Sequence, residues 1–138
     1  MHTAYLALGS NLGDRQANLN LAIKLLNNKS TQVTKISSFL ANPPIEAAGP
    51  HEFLNAVVEI TTELSSYKLL DFIQQIEREI DLERDARGRK RARVIDIDIL
   101  LYDKLTLDDA RLTIPHPRML NREFVMTPLK EIYPGYQT

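Results

Sequence analysis

Apolar residues recur along the chain with two periods, and their order predicts the fold. Residues 5–8, Tyr-Leu-Ala-Leu, form a short apolar run that stops at Gly9-Ser10-Asn11, a group of turn formers, so a strand is expected to feed a loop there. From Asp14, a residue type suited to an N-cap, apolar side chains return at Leu19, Ala22, Ile23 and Leu26 with helical spacing until Asn27-Asn28. Residues 33–39 read as a second strand, and Pro43-Pro44 then impose a stiff, extended loop reaching Gly49-Pro50. Residues 53–62 alternate, with Phe53, Asn55, Val57 and Glu59 on one face and Leu54, Ala56, Val58 and Ile60 on the other. A second helix begins after Ser65 or Ser66 and carries Leu69, Phe72, Ile73, Ile76 and Ile80 along one side. Residues 94–102 alternate strongly enough to read as a strand.

The predicted order β-α-β-β-α-β is the connectivity of a ferredoxin-like α/β plait, an α+β fold with two helices packed on one face of an antiparallel sheet. Residues 105–134 add a Thr-Ile-Pro-His-Pro turn and a short apolar, helix-like piece over 123–132. With 138 residues, 43% of them hydrophobic, and no repeat or linker, the expectation is a single domain over 1–138. The chain has no cysteine, which excludes a disulfide framework, thiolate catalysis and thiolate-bound zinc. Its first residues have no basic start followed by an apolar run, and no stretch is long enough to cross a bilayer, so a cytoplasmic protein is expected.

The net charge of −1 hides an asymmetry: residues 84–93 hold Arg84, Arg87, Arg89, Lys90, Arg91 and Arg93 against Asp85 alone, a local +5 that leaves −6 elsewhere. Such a segment suits a polyanion, a nucleotide or a nucleic acid, although a solvated basic loop has the same composition. Immediately after it, Asp96 and Asp98 occupy alternate positions, so a strand points both carboxylates to one face and Ile95, Ile97 and Ile99 to the other. Two such charges about 4 Å apart repel by about 4 kcal/mol at an effective dielectric of 20. Magnesium relieves that repulsion, and so would solvent exposure or salt bridges to the nearby arginines. Carboxylates beside arginines are the usual equipment of phosphoryl transfer, which moves the reading toward a nucleotide enzyme.

Four blocks then occur in order: Leu8-Gly9-Ser10-Asn11-Leu12-Gly13-Asp14-Arg15; Phe53-Leu54-Asn55-Ala56-Val57; Arg93-Val94-Ile95-Asp96-Ile97-Asp98-Ile99-Leu100; and Ile114-Pro115-His116-Pro117-Arg118-Met119 with Asn121-Arg122 and Phe124. Together they resemble the hydroxymethyldihydropterin pyrophosphokinase family, over roughly residues 5 to 134. The resemblance implies transfer of pyrophosphate from ATP to 6-hydroxymethyl-7,8-dihydropterin, giving AMP and the pterin diphosphate in folate biosynthesis. It implies that Asp96 and Asp98 hold two Mg2+ ions, and that Arg93 assists catalysis from a mobile loop. Phe53 and Phe124 would stack on the pterin, Asn55 would reach its polar edge, and Pro43, Pro44 and Ile45 would supply backbone hydrogen bonds. Read alone, either phenylalanine could equally be core. The ATP positions fall on Leu70, Glu77, Arg93, Ile99, Arg111, Thr113, His116 and Arg122. His116 is read as a phosphate hydrogen-bond donor and not as a general base, and Glu77 could equally be a solvated helix residue. A monomer acting on small molecules, with no nucleic-acid or membrane partner, is implied as well.

One block departs from the family. Where it usually carries Trp-Gly-Pro-Arg ahead of the aspartate strand, this chain has Lys90-Arg91-Ala92-Arg93, so closure over the substrates by charge and not by an aromatic cap is expected. Two other readings use the same residues. A non-catalytic relative would bind pterin or nucleotide without forming AMP. An RNA-binding plait would use 84–93 on phosphates, but it leaves the aspartate pair unexplained and lacks interleaved aromatic residues on the strands.

Overall fold

The computed structural model describes residues 1–42, 53–84 and 94–136. In chain order the elements are β1 (His2–Ser10), α1 (Arg15–Leu26), β2 (Thr31–Ile36), β3 (Leu40–Asn42), β4 (Phe53–Thr62), α2 (Ser66–Arg84) and β5 (Asp96–Tyr102). A small hairpin of β6 (Leu107–Asp108) and β7 (Thr113–Ile114) follows, then one tight helical turn, Met119–Asn121, and α3 (Glu123–Ile132). The main sheet has the order β2-β4-β1-β5, with β3 also on β4, and every pairing is antiparallel. This is the predicted ferredoxin-like plait.

Local signals place both early helices. Asp14 caps α1 by accepting the Ala17 amide at 3.1 Å, and the Ser65 hydroxyl accepts the Lys68 amide at the start of α2. Leu19, Ala22 and Leu26 of α1 and Leu69, Ile73, Ile76 and Ile80 of α2 are buried on one sheet face against Leu6, Leu8, Val58, Ile60, Ile95, Ile97 and Ile99.

The opposite face is not bare, as a plait with helices on one side would leave it. Tyr5, Val57, Leu100 and Leu101 are covered there by Met119 and by Val125, Met126, Leu129 and Ile132 of α3. A β-bulge makes this second core possible. Leu6 faces Ile99 but Tyr5 faces Leu101, so Leu100 is an extra residue in β5. Leu100 and Leu101 therefore both pack toward α3, and Tyr102 returns to the first core. Because α3 is only ten residues long, it covers one end of this face and leaves the other open.

Three strands differ from their predicted bounds; the strand expected over 94–102 begins at Asp96. The strand expected over 33–39 ends at Ile36, where the Ser37 hydroxyl takes the Val57 amide at 2.8 Å in place of a backbone carbonyl, and a separate short strand, β3, follows from Leu40. β1 does not stop at Leu8 but runs through Gly9 to a buried Ser10. There the Ser10 hydroxyl donates to the Val94 carbonyl at 2.6 Å and accepts from Asn18 Nδ2 at 3.1 Å. Among the described residues no helix is long and apolar enough to cross a membrane.

Candidate active site

At the end of the sheet that α3 leaves open lies a cleft of 470 Å3. Its floor is the central strand β1, which lines it with Ala7, Leu8 and Gly9; Leu8 is buried in the first core, so Ala7 and Gly9 are the residues that face the cleft. Gly9 faces Asn55 on one side and Asp96 on the other, and Ala7 lies between Val57 and Asp98. Phe53 and Asn55 form one wall, Asp96 and Asp98 the other, and Asn121, Arg122 and Phe124 stand at the α3 end. Neighbouring strands are about 4.8 Å apart, so the walls are separated by roughly 10 Å across a floor with no side chain larger than a methyl group. A flat ring has room to lie on it.

Asn55 and His116 are oriented by backbone contacts. Asn55 is 6% exposed, and its Nδ2 donates to the Leu40 carbonyl of β3 at 3.2 Å. Asp96 and Asp98 are half-exposed, as expected for a strand whose isoleucines point into the first core. The Arg122 guanidinium lies 5.7 Å from the Phe124 ring centre, a cation–π contact at the cleft mouth. His116 donates its amide to the Leu100 carbonyl at 3.0 Å, and its Nδ1 accepts the Arg118 amide at 3.2 Å. That contact leaves the ring proton on Nε2. Burial lowers the pKa of His116; the Asp98 charge works in the other direction, and Arg122 and Arg118 add to the lowering. A neutral imidazole with an N–H donor at Nε2 results.

Of the described nucleotide positions only Arg122 lines this cleft; His116 lies outside its lining, and the other five are distributed around the other side of β5. Ile99 is buried in the core under α1 and α2. Glu77 is not a solvated helix residue: it is 6% exposed, and its Oε2 accepts the Ile97 amide at 2.8 Å. Leu70 packs against the first core from α2. Next to it, Asp71 forms a salt bridge with Arg111, whose guanidinium also lies 5.7 Å from the Tyr67 ring. The Tyr67 hydroxyl donates to Asp109, which in turn accepts the amides of Arg111 at 2.8 Å and Leu112 at 2.9 Å. The hairpin bearing Arg111 and Thr113 is thereby tied to α2. Pro43, Pro44, Ile45, Arg87, Arg89 and Arg93 lie outside the described residues, as does the Lys90-Arg91-Ala92 departure.

Among the described residues, no group of three or more acidic, histidine or cysteine side chains is assembled to hold a metal. The donor set is instead an open pair of carboxylates, a chemistry suited to a hard cation that keeps water and phosphate among its ligands. Sequence reasoning missed Ala7, Gly9 and Asn121 in the cleft, and Tyr67 and Asp71 beside Arg111. For Ala7 and Gly9 a signal existed, namely small residues at alternate positions of a strand.

Comparison with known proteins bears on this geometry. Residues 5–134 match the family of 7,8-dihydro-6-hydroxymethylpterin-pyrophosphokinase (HPPK). A 2-amino-4-hydroxy-6-hydroxymethyldihydropteridine pyrophosphokinase of Bacillus subtilis is 43% identical over 130 residues, spanning 94% of this chain and 77% of the relative. Another, of Haemophilus influenzae, is 45% identical over 133 residues, spanning 96% and 82%. A crystal structure of an HPPK-DHPS protein in complex with substrates superposes with a TM-score of 0.76 at 14% identity, covering 99% of this chain and 40% of that one; this likeness concerns the fold.

Proposed function

The chain belongs to the 7,8-dihydro-6-hydroxymethylpterin-pyrophosphokinase family and so is a pyrophosphokinase of folate biosynthesis, and we propose that the cleft between β4 and β5 is where it acts. In this reading a pyrophosphoryl group passes from ATP to the hydroxymethyl oxygen of 6-hydroxymethyl-7,8-dihydropterin. The oxygen bonds to the β-phosphorus, the bond from that phosphorus to the α,β-bridging oxygen breaks, AMP leaves, and the hydroxyl proton passes to solvent. Phosphoryl transfer of this kind depends mainly on positioning and on charge stabilisation.

The observation that carries the reading is the juxtaposition of a stacking wall and a carboxylate wall across one small-residue strand. Phe53 and Phe124 offer aromatic faces to the pterin, and Asn55 offers an amide to its polar edge. Asp96 and Asp98 are the residues that would hold magnesium. The bound metal would offset charge on the triphosphate and help align the pterin hydroxyl. Arg122 and the Nε2–H of His116 supply further positive charge and a donor near the same carboxylates. Leu70, Ile99, Arg111 and Thr113 form the nucleotide end along the far side of β5, and Glu77 acts there through the backbone of Ile97. Arg93, and the loop with Pro43, Pro44 and Ile45, complete the assignment. Residues 1–138 act as one pyrophosphokinase domain, a cytoplasmic monomer with small-molecule substrates.

Incubation with ATP, magnesium and 6-hydroxymethyl-7,8-dihydropterin should yield AMP and the pterin diphosphate, resolved by chromatography and mass. EDTA, or the double variant Asp96→Ala, Asp98→Ala, should abolish both products. Formation of ADP would refute the proposed transfer, and binding of both substrates without AMP would identify a non-catalytic relative.

A further inference from the structure

Two glycines near the start of the chain are glycines for opposite reasons. Gly13 has a φ of +65° and no atom within 4 Å of where a Cβ would stand, so its backbone demands glycine and its surroundings do not. Gly9 lies within β1 with a φ outside the left-handed region, so its backbone accepts any residue. What is missing at Gly9 is space. A Cβ there would lie 3.2 Å from Asn55 Oδ1 and 3.6 Å from Phe53 Cδ1.

Asn55 cannot easily give way. It is buried, and its Nδ2 is held by the Leu40 carbonyl at 3.2 Å. Only the NH2 end of an amide can donate to a carbonyl, so this bond fixes which end is which, and Oδ1 is the end turned toward Gly9. Both residues line the cleft.

We propose that Gly9 is a positioning and specificity-determining residue: by lacking a side chain it lets Asn55 hold its Oδ1 over the cleft floor, where it selects a flat heterocycle whose edge presents N–H donors. A Cβ at Gly9 would push the amide off its Leu40 partner and raise the floor under the ring. Ligand selection then depends on a wall residue and a floor residue together, and the nucleotide end on the far side of β5 is indifferent to the change. The inference rests on the reading of this cleft as the pterin site.

The test uses the full chain, with calorimetric binding of 6-hydroxymethyl-7,8-dihydropterin in the presence of α,β-methylene-ATP, and binding of that analogue measured separately. Gly9→Ala should weaken pterin binding about tenfold, the scale of one hydrogen bond to a neutral ligand, and leave affinity for the ATP analogue within about twofold. In turnover the pterin KM should rise, with kcat at saturation largely kept. The Tm should fall by no more than about 5 °C, because the gain of alanine over glycine in a strand offsets part of the lost Asn55–Leu40 bond. In an Asn55→Ala background the same Gly9→Ala change should cost clearly less pterin affinity. Unchanged pterin binding by Gly9→Ala overturns the proposal. So does an equal loss of ATP-analogue affinity, or an undiminished effect in the Asn55→Ala background. A parent chain that does not bind the pterin overturns the reading of the cleft and this inference with it, whereas a parent that binds beside an unaffected variant overturns the inference alone.

Discussion

Glu77 of α2 accepts the backbone N–H of Ile97 at 2.8 Å, and Ile97 is the residue between the two aspartates that face the cleft. One helical turn further on, Asp81 accepts the Val94 amide at 2.9 Å just ahead of β5. The carboxylates of one helix thus fasten the strand that bears the carboxylates of the site. Glu77→Ala would strand a buried N–H and should cost about 1–3 kcal/mol in urea unfolding. Glu77→Gln keeps an acceptor and should lose less. Equal stability of all three chains would show that the contact is idle.

Asp96 and Asp98 point the same way from alternate positions of β5, so replacing either one removes a like-charge neighbour without changing shape. In magnesium-free buffer Asp98→Asn should melt at or above the parent temperature. Turnover of Asp96→Asn and of Asp98→Asn should fall by roughly 100-fold or more, as when a group that stabilises transition-state charge is deleted. Magnesium with ATP should raise the parent Tm more than that of either variant.

Tyr5 and Glu59 form a hydrogen-bonded pair on the α3 face, and Glu59, with its side chain 14% exposed, also takes the Thr34 hydroxyl at 2.7 Å. Burial pushes the Glu59 carboxyl upward, but the bonds from Tyr5 and Thr34 and the charge of Lys35 outweigh it and hold the carboxyl below its ordinary 4.5. A depressed folded value contributes stability above the unfolded pKa, and that contribution is lost as pH falls through the folded one. Tyr5 is raised above its ordinary 10.0, first by burial and then by Glu59, so its contribution is lost as pH climbs beyond 10.0. Tyr5→Phe should cost about 1–3 kcal/mol at neutral pH and flatten both limbs of a stability-versus-pH curve measured by urea unfolding.

Arg111 and Asp71 are joined by a salt bridge, but their side chains are 50% and 60% exposed. An exposed pair contributes about 1 kcal/mol or less, and salt weakens it. Arg111→Ala should therefore leave the urea midpoint nearly unchanged while raising the KM for ATP. A large stability loss with an unchanged KM would make Arg111 a structural residue and remove it from the nucleotide end.

The Arg118 amide at His116 Nδ1 and the lowering of the His116 pKa by burial predict a neutral ring protonated at Nε2 at pH 7. Nitrogen chemical shifts from histidine-labelled protein should show that tautomer, with a titration midpoint below 6.5. Its stability contribution should be present above the unfolded value and lost as pH falls. A ring already charged at pH 7 would be incompatible with Nδ1 accepting the Arg118 amide.

Much of this protein was determined by the sequence alone. The helical faces of Leu19, Ala22 and Leu26 and of Leu69, Ile73, Ile76 and Ile80, and the shared direction of Asp96 and Asp98, follow from periods of 3.6 and 2, which are properties of consecutive residues. The motif blocks in order carried the family in the same local way. What tertiary structure decided were pairings between residues far apart in the chain. Ser37 ends a strand because Val57, twenty residues on, bonds to its side chain. Gly9 is strand and not turn because Asn55 and Asp96 flank it. Glu77 is buried because Ile97 needs an acceptor, and the second core exists because Leu100 bulges opposite Tyr5 and Leu6. Periodicity tells each residue which way to face; only the folded register decides what it faces.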